Sequence, residues 1–459
     1  MKIRKTSTIL FVLSSIFVLF YLVNSALEQI QQLAYFFESE EQIDSSFPIK
    51  FYNVAYVDYR YDSPRLRIFT LNHCISKKNF LSVDLYYKGI SSPTKLKVYG
   101  KSLEETCPSS YIFAKPCFYV AHTFFANLEL NGRLEKVTIN LGDREVNLAV
   151  KEVYKKHEKG LTLCLQPVYY YSQWQNIVLY IEAWRAHGAS RFIVYYHSAT
   201  KDTWKVLEYY RDMGIIEIRP WPNFGSLPPQ IEKKYPKIDD SVYGFSYFLA
   251  LNLCILDIKT TIGSVADFDE VMVPHNGTML EYASKEMTGT NVGALLFKNS
   301  YVSLEPSIYD NEFTGVSKPV FLDGTAAPKY VFNATVIDIA QTHWVRSFTD
   351  STKHTKVSDG TLLHHRFDAK WKRGEEVEKM FTYFPNNTSE HVASMQKTSL
   401  TIFNGSPPMF SFDLINGLNN CVLRIKETPN TCQSTGGMCR AHMDRMSEWI
   451  YDKTKNIFL

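Results

Sequence analysis

The chain has 459 residues, of which 50 are basic and 47 acidic, a net charge of +3 with histidine neutral. That length accommodates two or three domains. The near balance of charge excludes the basic excess expected of a nucleic-acid binder, and 30 Phe with 29 Tyr imply a substantial packed core.

Lys2, Arg4 and Lys5 make a short basic tail (1–5) ahead of an uncharged, mostly apolar run over 6–23. The run sits at the lower limit of what spans a bilayer. Basic residues flank it on the N-terminal side only, which predicts an uncleaved transmembrane signal anchor and a single-pass type II membrane protein. Asn24-Ser25-Ala26 makes a cleaved signal peptide the alternative. Asn-x-Ser/Thr sequons at Asn276, Asn333, Asn386, Asn387 and Asn404 agree with a lumenal body, the last weakened by Pro407 just after it. Eight cysteines permit up to four disulfides in an oxidising compartment. None has the spacing of a structural zinc site. Cys107 with Cys117, and Cys432 with Cys439, are close enough in sequence to pair locally.

A Gln- and Glu-rich stem is expected over 24–50. From 51 to 150, short β-rich runs recur at 51–57, 65–71, 81–87, 96–99, 117–128, 134–139 and 145–150, and Asn131-Gly132 suits a tight hairpin turn. This spacing predicts an antiparallel, sandwich-like accessory domain. The charged stretch 151–160 reads as a linker. From 161 to 400 the pattern alternates between strand and helix. A strand over 161–165 ends at Gln166-Pro167, and a helix over 175–187 stops at Gly188. A strand follows at 191–196, then a helix capped by Asp202 and ended by Gly214, and a strand at 215–218. After a Pro-rich loop, an apolar helix over 241–258 leads to a strand ending at Asp267. This order predicts an α/β domain with a mainly parallel sheet, in which ligands bind beyond the carboxyl ends of the strands. Residues 401–459 form a C-terminal region holding Cys421, Cys432 and Cys439, a candidate for disulfide stapling.

Asp267-Phe268-Asp269-Glu270 falls at such a carboxyl end. Strand alternation would turn both Asp side chains to one side and Phe268 to the other. Paired carboxylates suit a hard divalent cation carrying a diphosphate. The same pair is common in solvated turns, and its chemistry depends on what surrounds it.

The surroundings resemble glycosyltransferase family 92. The resemblance is carried by Leu163-Cys164-Leu165-Gln166-Pro167, Tyr180-Ile181-Glu182-Ala183-Trp184-Arg185, His187-Gly188-Ala189-Ser190, the Asp267 stretch with Pro274, and 293–297 with Asn299. Lys329-Tyr330, His343 and Leu363-His364-His365-Arg366 complete the series, which covers about 161–367. The resemblance implies a GT-A-like nucleotide-sugar fold and type II topology. It also implies Mn²⁺-dependent transfer of a sugar, galactose from UDP-galactose, to a glycan. One branch of the family adds galactose to core fucose on N-glycans. Two positions depart from the family's pattern. Leu253 precedes Cys254 where an Asp is frequent, and His365 stands where Tyr is usual.

The expectations are then specific. A nucleotide sugar is the donor, a glycan or glycoprotein the acceptor, and Mn²⁺ (or Mg²⁺) the cofactor, in a Golgi-type membrane enzyme. Asp269 and Asp267 are the metal candidates, with Asp267 also toward metal waters or ribose, and the resemblance adds His364. Gln166 would lie by the nucleoside, and Lys329 and Arg366 could meet phosphate oxygens. Trp184 reads as core, and Glu182 as a structural partner of a nearby cation. Inverting transfer needs a general base; Glu305, Asp310, Glu312 and Asp323 are candidates and nothing in the sequence selects among them. A glycan on Asn276, seven residues past Asp269, would crowd the cleft unless the loop after Pro274 turns away. Two readings compete: a lumenal or cell-surface glycan-binding protein on a decayed transferase scaffold, and a two-metal phosphoesterase, which would need more clustered His and Asp ligands.

Overall fold

The computed structural model describes residues 41–42, 49–73, 79–104, 117–142, 144–227, 229–304, 311–322, 326–365, 376–377, 381–409, 411–428, 432, 436–454 and 457–459. The expected tail, anchor and most of the stem lie outside them. No helix among the described residues is long and apolar enough to cross a membrane.

The N-terminal part is built from β1 (Glu41–Gln42), β2 (Lys50–Asp58), β3 (Arg65–His73), β4 (Asn79–Tyr87), β5 (Thr94–Ser102), β6 (Tyr119–Asn127), β7 (Leu134–Leu141) and β8 (Arg144–Val153). Alternate residues point inward, as in β4, where Leu81, Val83, Leu85 and Tyr87 are buried. The expected sandwich is corrected to a closed ring. The order is β4-β5-β6-β3-β2-β8-β7, and β7 pairs back onto β4, with β1 added outside on β4. Closure leaves the ring strands no unpaired edge, which the sequence pattern of a sandwich does not distinguish. The 151–160 linker is also corrected. β8 extends to Val153 and β9 starts at Glu158, so four residues join the two parts.

The second part begins with β9 (Glu158–Val168), α1 (Trp174–Ala186), β10 (Ala189–Tyr196), β11 (Ser198–Thr200), α2 (Lys201–Asp212) and β12 (Ile216–Pro220). Gly188 and Gly214 end the two helices with φ of +93° and +71°. The cap of α2 is Thr200, whose hydroxyl accepts from the Thr203 N–H, rather than Asp202, which lies in the first turn. The expected helix over 241–258 is shorter: α3 spans Tyr247–Asp257. Just before it Gly244, Phe245 and Ser246 take positive φ, and Trp221 Nε1 donates to the Phe245 carbonyl at 2.8 Å. Next come β13 (Thr260–Val265), β14 (Glu270–Val273), α4 (Met279–Met287), β15 (Val292–Ser303), β16 (Val320–Leu322), β17 (Lys329–Asn333), β18 (Ile337–Ala340), β19 (Val345–Phe348), β20 (His354–His365) and β21 (Glu376–Val377). The chain ends with α5 (Thr388–Ile402), α6 (Phe412–Glu427), α7 (Gly436–Met446) and β22 (Trp449–Tyr451).

The sheet is mixed rather than mainly parallel. β12, β10, β9 and β13 are parallel neighbours, while β17, β15, β16 and β21 continue antiparallel. β14 pairs antiparallel with β20, which lies parallel to β15. The α-β alternation lapses after β13: α4 still stands between β14 and β15, but among the described residues no α-helix separates the strands from β15 to β21.

The two parts share a core. Tyr56, Phe69 and Leu71 of the barrel pack with Trp221, Leu249 and Phe332 of the α/β part. Buried Asp58 pairs with Arg60 at 2.8 Å and with Arg67 at 3.4 Å. Arg60 also donates to the carbonyls of Ala334 and Ile337, and Arg67 reaches Asp338 at 3.2 Å.

Neither expected local disulfide forms. The bonds are Cys117–Cys432, Cys164–Cys254 and Cys421–Cys439. Cys421 and Cys439 face each other across the α6–α7 pair, and Cys432 is carried to the barrel. Cys74 and Cys107 lie outside the described residues.

Candidate active site

β13 stops at Val265, and residues 267–270 form a turn in which the Glu270 N–H donates to the Asp267 carbonyl at 3.0 Å. The turn is held from below. Phe268 is buried between Tyr171 and Tyr180, with ring centroids 5.4 and 5.2 Å away. From α1, the Tyr180 hydroxyl donates to the Ala266 carbonyl and Trp184 Nε1 to the Glu270 carbonyl. Asp267 and Asp269 remain about a third exposed, at 30% and 28% of their side chains. The two carboxylates thus face outward and Phe268 inward, through a turn instead of a strand.

Asp267 is enclosed by partners. Gln166 Nε2, from the carboxyl end of β9, donates to its Oδ1, and Lys329 Nζ from β17 is 3.0 Å from its Oδ2. Lys329 is 1% exposed and also lies 3.1 Å from Glu270 Oε2. Burial works to lower the Lys329 ammonium, but Asp267 and Glu270 outweigh it and hold the group above the usual lysine range. Burial pushes the Glu270 carboxyl up, against the pull of Lys329. Lys329, expected to meet phosphate, is therefore a buried counter-ion for the acidic turn. Arg366 lies outside the described residues.

His364 arrives by register. Glu270 of β14 pairs with His364 of β20, and the His365 N–H donates to the Asp269 carbonyl. His364 Nε2 is 3.2 Å from Asp269 Oδ2, and Tyr301 stacks on the ring at 5.4 Å. Two ligands about 2.1 Å from one cation and at right angles to each other stand about 3 Å apart, so this pair fits a shared hard cation. Asn299 Nδ2 donates to His364 Nδ1 at 3.0 Å, while Asn299 Oδ1 is buried without a partner. Asn299 Nδ2 also donates to the Ala327 carbonyl at 3.2 Å, so two acceptors fix the nitrogen side of the carboxamide toward His364. Among the described residues no group of three or more His, Cys, Asp or Glu side chains is arranged to hold a metal. The protein part of the fit is thus two ligands.

Asp269 opens onto a cleft of about 420 Å³ lined by Gln166, Pro167, Tyr243, Tyr247, Asp267 and, from α6, Leu418 and Val422. That size suits a small-molecule site. A smaller recess of about 160 Å³ adjoins it, and Asp269 lines both. Of the proposed bases, Glu305, Asp310 and Asp323 lie outside the described residues. Glu312 is exposed, lines neither cavity, and its carbonyl is bonded by Gln396. Trp184 is core at 0% exposure, and Glu182 meets Arg185 at 3.2 Å. Asn276 is exposed at the opposite end of β14 from Asp269, past a four-residue strand, so its loop turns away from the cleft. Asn386 and Asn387 are exposed too, whereas Asn333 is partly buried with its Oδ1 held by Thr335.

A family model, glycosyltransferase family 92, matches residues 159–402, more than half of the chain. The chain belongs to glycosyltransferase family 92. A curated relative, glycosyltransferase family 92 protein F13G3.3 of Caenorhabditis elegans, is 24% identical over 160 residues, 34% of this chain. The match spans 31% of that relative's length. Among solved structures, S. aureus TarS 1-349 has a TM-score of 0.27 at 11% identity, covering 62% of this chain and 91% of that one. Glucosyl-3-phosphoglycerate synthase from Mycobacterium tuberculosis has a TM-score of 0.23 at 10% identity, covering 55% and 82%.

Sequence reasoning missed the C-terminal wall of the cleft, which lies beyond the family match, and the role of Asn299 beside His364. It also missed the run Tyr169-Tyr170-Tyr171, which lines the smaller recess, although three consecutive tyrosines straight after Gln166-Pro167-Val168 were a visible signal.

Proposed function

We propose that this chain is a membrane-anchored glycosyltransferase of the Golgi type, with a GT-A-like donor site, that moves galactose from UDP-galactose to a glycan or glycoprotein. The observation that carries the reading is the Asp267–Glu270 turn meeting Gln166, Lys329 and His364 at the carboxyl ends of β9 and β13, on a cleft of about 420 Å³. Parallel strands bind ligands at that end.

Asp269 and His364 would hold Mn²⁺ (or Mg²⁺), with remaining positions filled by phosphate oxygens and water. Bound there, the cation supplies Lewis-acid neutralisation of the leaving diphosphate. The protein's own part is positional. Lys329 offsets the charge of Asp267 and Glu270, so two adjacent carboxylates can stand beside an anionic substrate. Gln166 orients Asp267, which faces the ribose side. Phe268 locks the turn, so no reorganisation is needed when charge develops. An acceptor hydroxyl attacks the anomeric carbon, the bond from that carbon to the diphosphate oxygen breaks, and the hydroxyl proton passes to a base.

The test is UDP-galactose turnover by the full chain with Mn²⁺ or with chelator, alongside Asp269→Ala. Turnover should require the metal, and Asp269→Ala should lose about 100-fold or more. Metal-independent turnover, or an active Asp269→Ala protein, refutes the mechanism. Absence of turnover with every UDP-sugar favours a glycan-binding protein instead.

A further inference from the structure

The smaller recess beside Asp269 shares its walls with a further cavity. One side of the recess is the segment Tyr171-Ser172-Gln173, and the other is α6, through Ile415, Leu418 and Asn419. The same two elements continue as walls of a cavity of about 490 Å³, which takes Ser172 and Trp174 on one side and Ser411 and Leu414 of α6 on the other. Leu414, Leu418 and Val422 recur at every fourth position, so they share one face of α6. The eight residues from Leu414 to Val422 rise about 12 Å. Three cavities therefore lie in a row along this helix, and Asp269 lines the two at one end of the row.

The cavity at the other end has the chemistry of a carbohydrate site. β11 and β22 pair Thr200 with Trp449, so the next residues, Lys201 and Glu448, leave the ladder at the same point. Both line the cavity, as does Asp202. Lys201 and Glu448 are exposed and Asp202 is partly so. Among the described residues none of the three is in an ion pair, so their charged ends are open to a ligand. Ser172 and Ser411 add accessible hydroxyls, and Leu414 adds an apolar surface. Sugars match such a mixture, because a pyranose ring carries hydroxyls at its edge and C–H groups on its faces. Two carboxylates against one ammonium make the lining net negative, which disfavours a nucleotide or any other anion. At about 490 Å³ against about 160 Å³ the cavity is three times the size of the recess, room for more than one sugar ring and within the range of ligand sites.

We propose that this cavity binds the inner sugars of a neutral acceptor glycan whose terminal sugar lies in the recess beside Asp269. The proposal rests on the glycosyltransferase reading and assigns acceptor selection to the groove between residues 171–174 and α6. The α6 wall and Glu448 lie past residue 402, where the family match ends. A single sugar meets only the recess. A glycan of two or more sugars also gains the contacts to Lys201, Asp202 and Glu448.

The experiment applies the full chain, with UDP and Mn²⁺ present, to an array of monosaccharides, neutral and sialylated oligosaccharides, and glycopeptides carrying the same oligosaccharides. The wild type should bind neutral oligosaccharides more tightly than their terminal monosaccharides and more tightly than the sialylated forms. Two variants test the cavity. Lys201→Ala/Glu448→Ala removes the charged rim, and Ser411→Trp fills the space from a position whose hydroxyl makes no helix-capping bond. Each should weaken oligosaccharide binding about 10-fold or more, with the Kd of UDP held within about twofold and the melting temperature within about 2 °C. In transfer to the best-bound oligosaccharide, the acceptor KM rises by the same factor while the KM for UDP-galactose holds. A wild type that binds UDP but no oligosaccharide overturns the proposal, as do variants that bind oligosaccharides like the wild type. A loss confined to glycopeptides assigns the cavity to peptide and overturns it. Joint weakening of UDP and oligosaccharide with a fall in melting temperature shows a structural role and overturns it too. These outcomes leave the transferase reading intact. A wild type that neither binds UDP nor turns over any UDP-sugar removes the transferase reading and this proposal with it.

Discussion

Lys329→Met is the most informative single perturbation of the acidic turn. The wild-type ammonium is 1% exposed and lies 3.0 Å from Asp267 Oδ2 and 3.1 Å from Glu270 Oε2. Glu270 is itself 3% exposed and accepts the Asp267 N–H at 2.9 Å. Methionine keeps the length and apolar stem of lysine, so packing changes little. What is lost is the counter-ion of a buried carboxylate, a cost of about 3–5 kcal/mol. In a unit of this size each kcal/mol moves the midpoint by about 2–4 °C, so the melting temperature should fall by roughly 6–20 °C. Thermal unfolding by circular dichroism measures it. The double variant Lys329→Met/Glu270→Gln removes the orphaned charge and should recover more than half of that loss. UDP affinity should drop in the single variant, because the turn that presents Asp267 and Asp269 loses its tie to β17. A single variant melting within about 2 °C of wild type, or a double variant no better than the single, refutes the claim that Lys329 neutralises this turn.

Three further outcomes are expected. Asp58→Ala strips Arg60 and Arg67 of their shared buried partner and should cost about 3–5 kcal/mol, read as a lower melting temperature and faster proteolysis. Glu104 is buried, and burial pushes its carboxyl up to about 8 from an ordinary 4.5. Its contribution to stability is therefore present below about pH 4.5 and lost as pH rises through about 8, so Glu104→Gln should gain stability relative to wild type progressively across that window, by roughly 3–5 kcal/mol at its top; a pH-independent difference contradicts the burial. Gly360→Ala would bring a Cβ to 2.4 Å from the Val273 carbonyl oxygen, where β20 passes β14. It should destabilise by about 1–3 kcal/mol and, on the proposed function, weaken UDP binding in the presence of Mn²⁺ by displacing His364, measurable by melting and titration calorimetry.

The sequence carried the seven barrel strands, because alternation in runs such as Leu81-Ser82-Val83-Asp84-Leu85 is a local property. It did not carry the closure of β7 onto β4, which depends on accumulated twist over the whole ring. The parallel half of the second sheet was legible because strands and helices alternate up to Asp267. The antiparallel half was not, since β15, β17 and β20 are ordered by pairings over 30–60 residues that leave no periodic trace. Gly244, Phe245 and Ser246 broke a helix that apolar periodicity extends through, because tertiary contacts such as Trp221 to Phe245 outweigh local propensity. At the site, the family series pointed to Asp267, Asp269 and His364, and the fold brings His364 to within 3.2 Å of Asp269. That Lys329 faces carboxylates and not solvent was invisible, because nothing local distinguishes a buried lysine from a surface one.

The C-terminal segment has a position that its sequence does not announce. The family match ends at residue 402, yet Leu418 lines both cavities beside Asp269, with Val422 in the larger and Asn419 in the smaller. A two-helix hairpin would be a poor wall if it could drift. Here it is fixed at several points. Cys421–Cys439 joins α6 to α7, Cys117–Cys432 ties the intervening chain to the barrel, and β22 pairs with β11. The last residues complete the attachment, since Phe51 and Leu459 exchange two backbone hydrogen bonds. The barrel packs in turn against α3 through a shared core, so the element that closes the cleft is braced by the domain farthest from it in sequence. The barrel thereby gains a mechanical role, because it holds the outer wall of a site whose inner wall is the Asp267 turn.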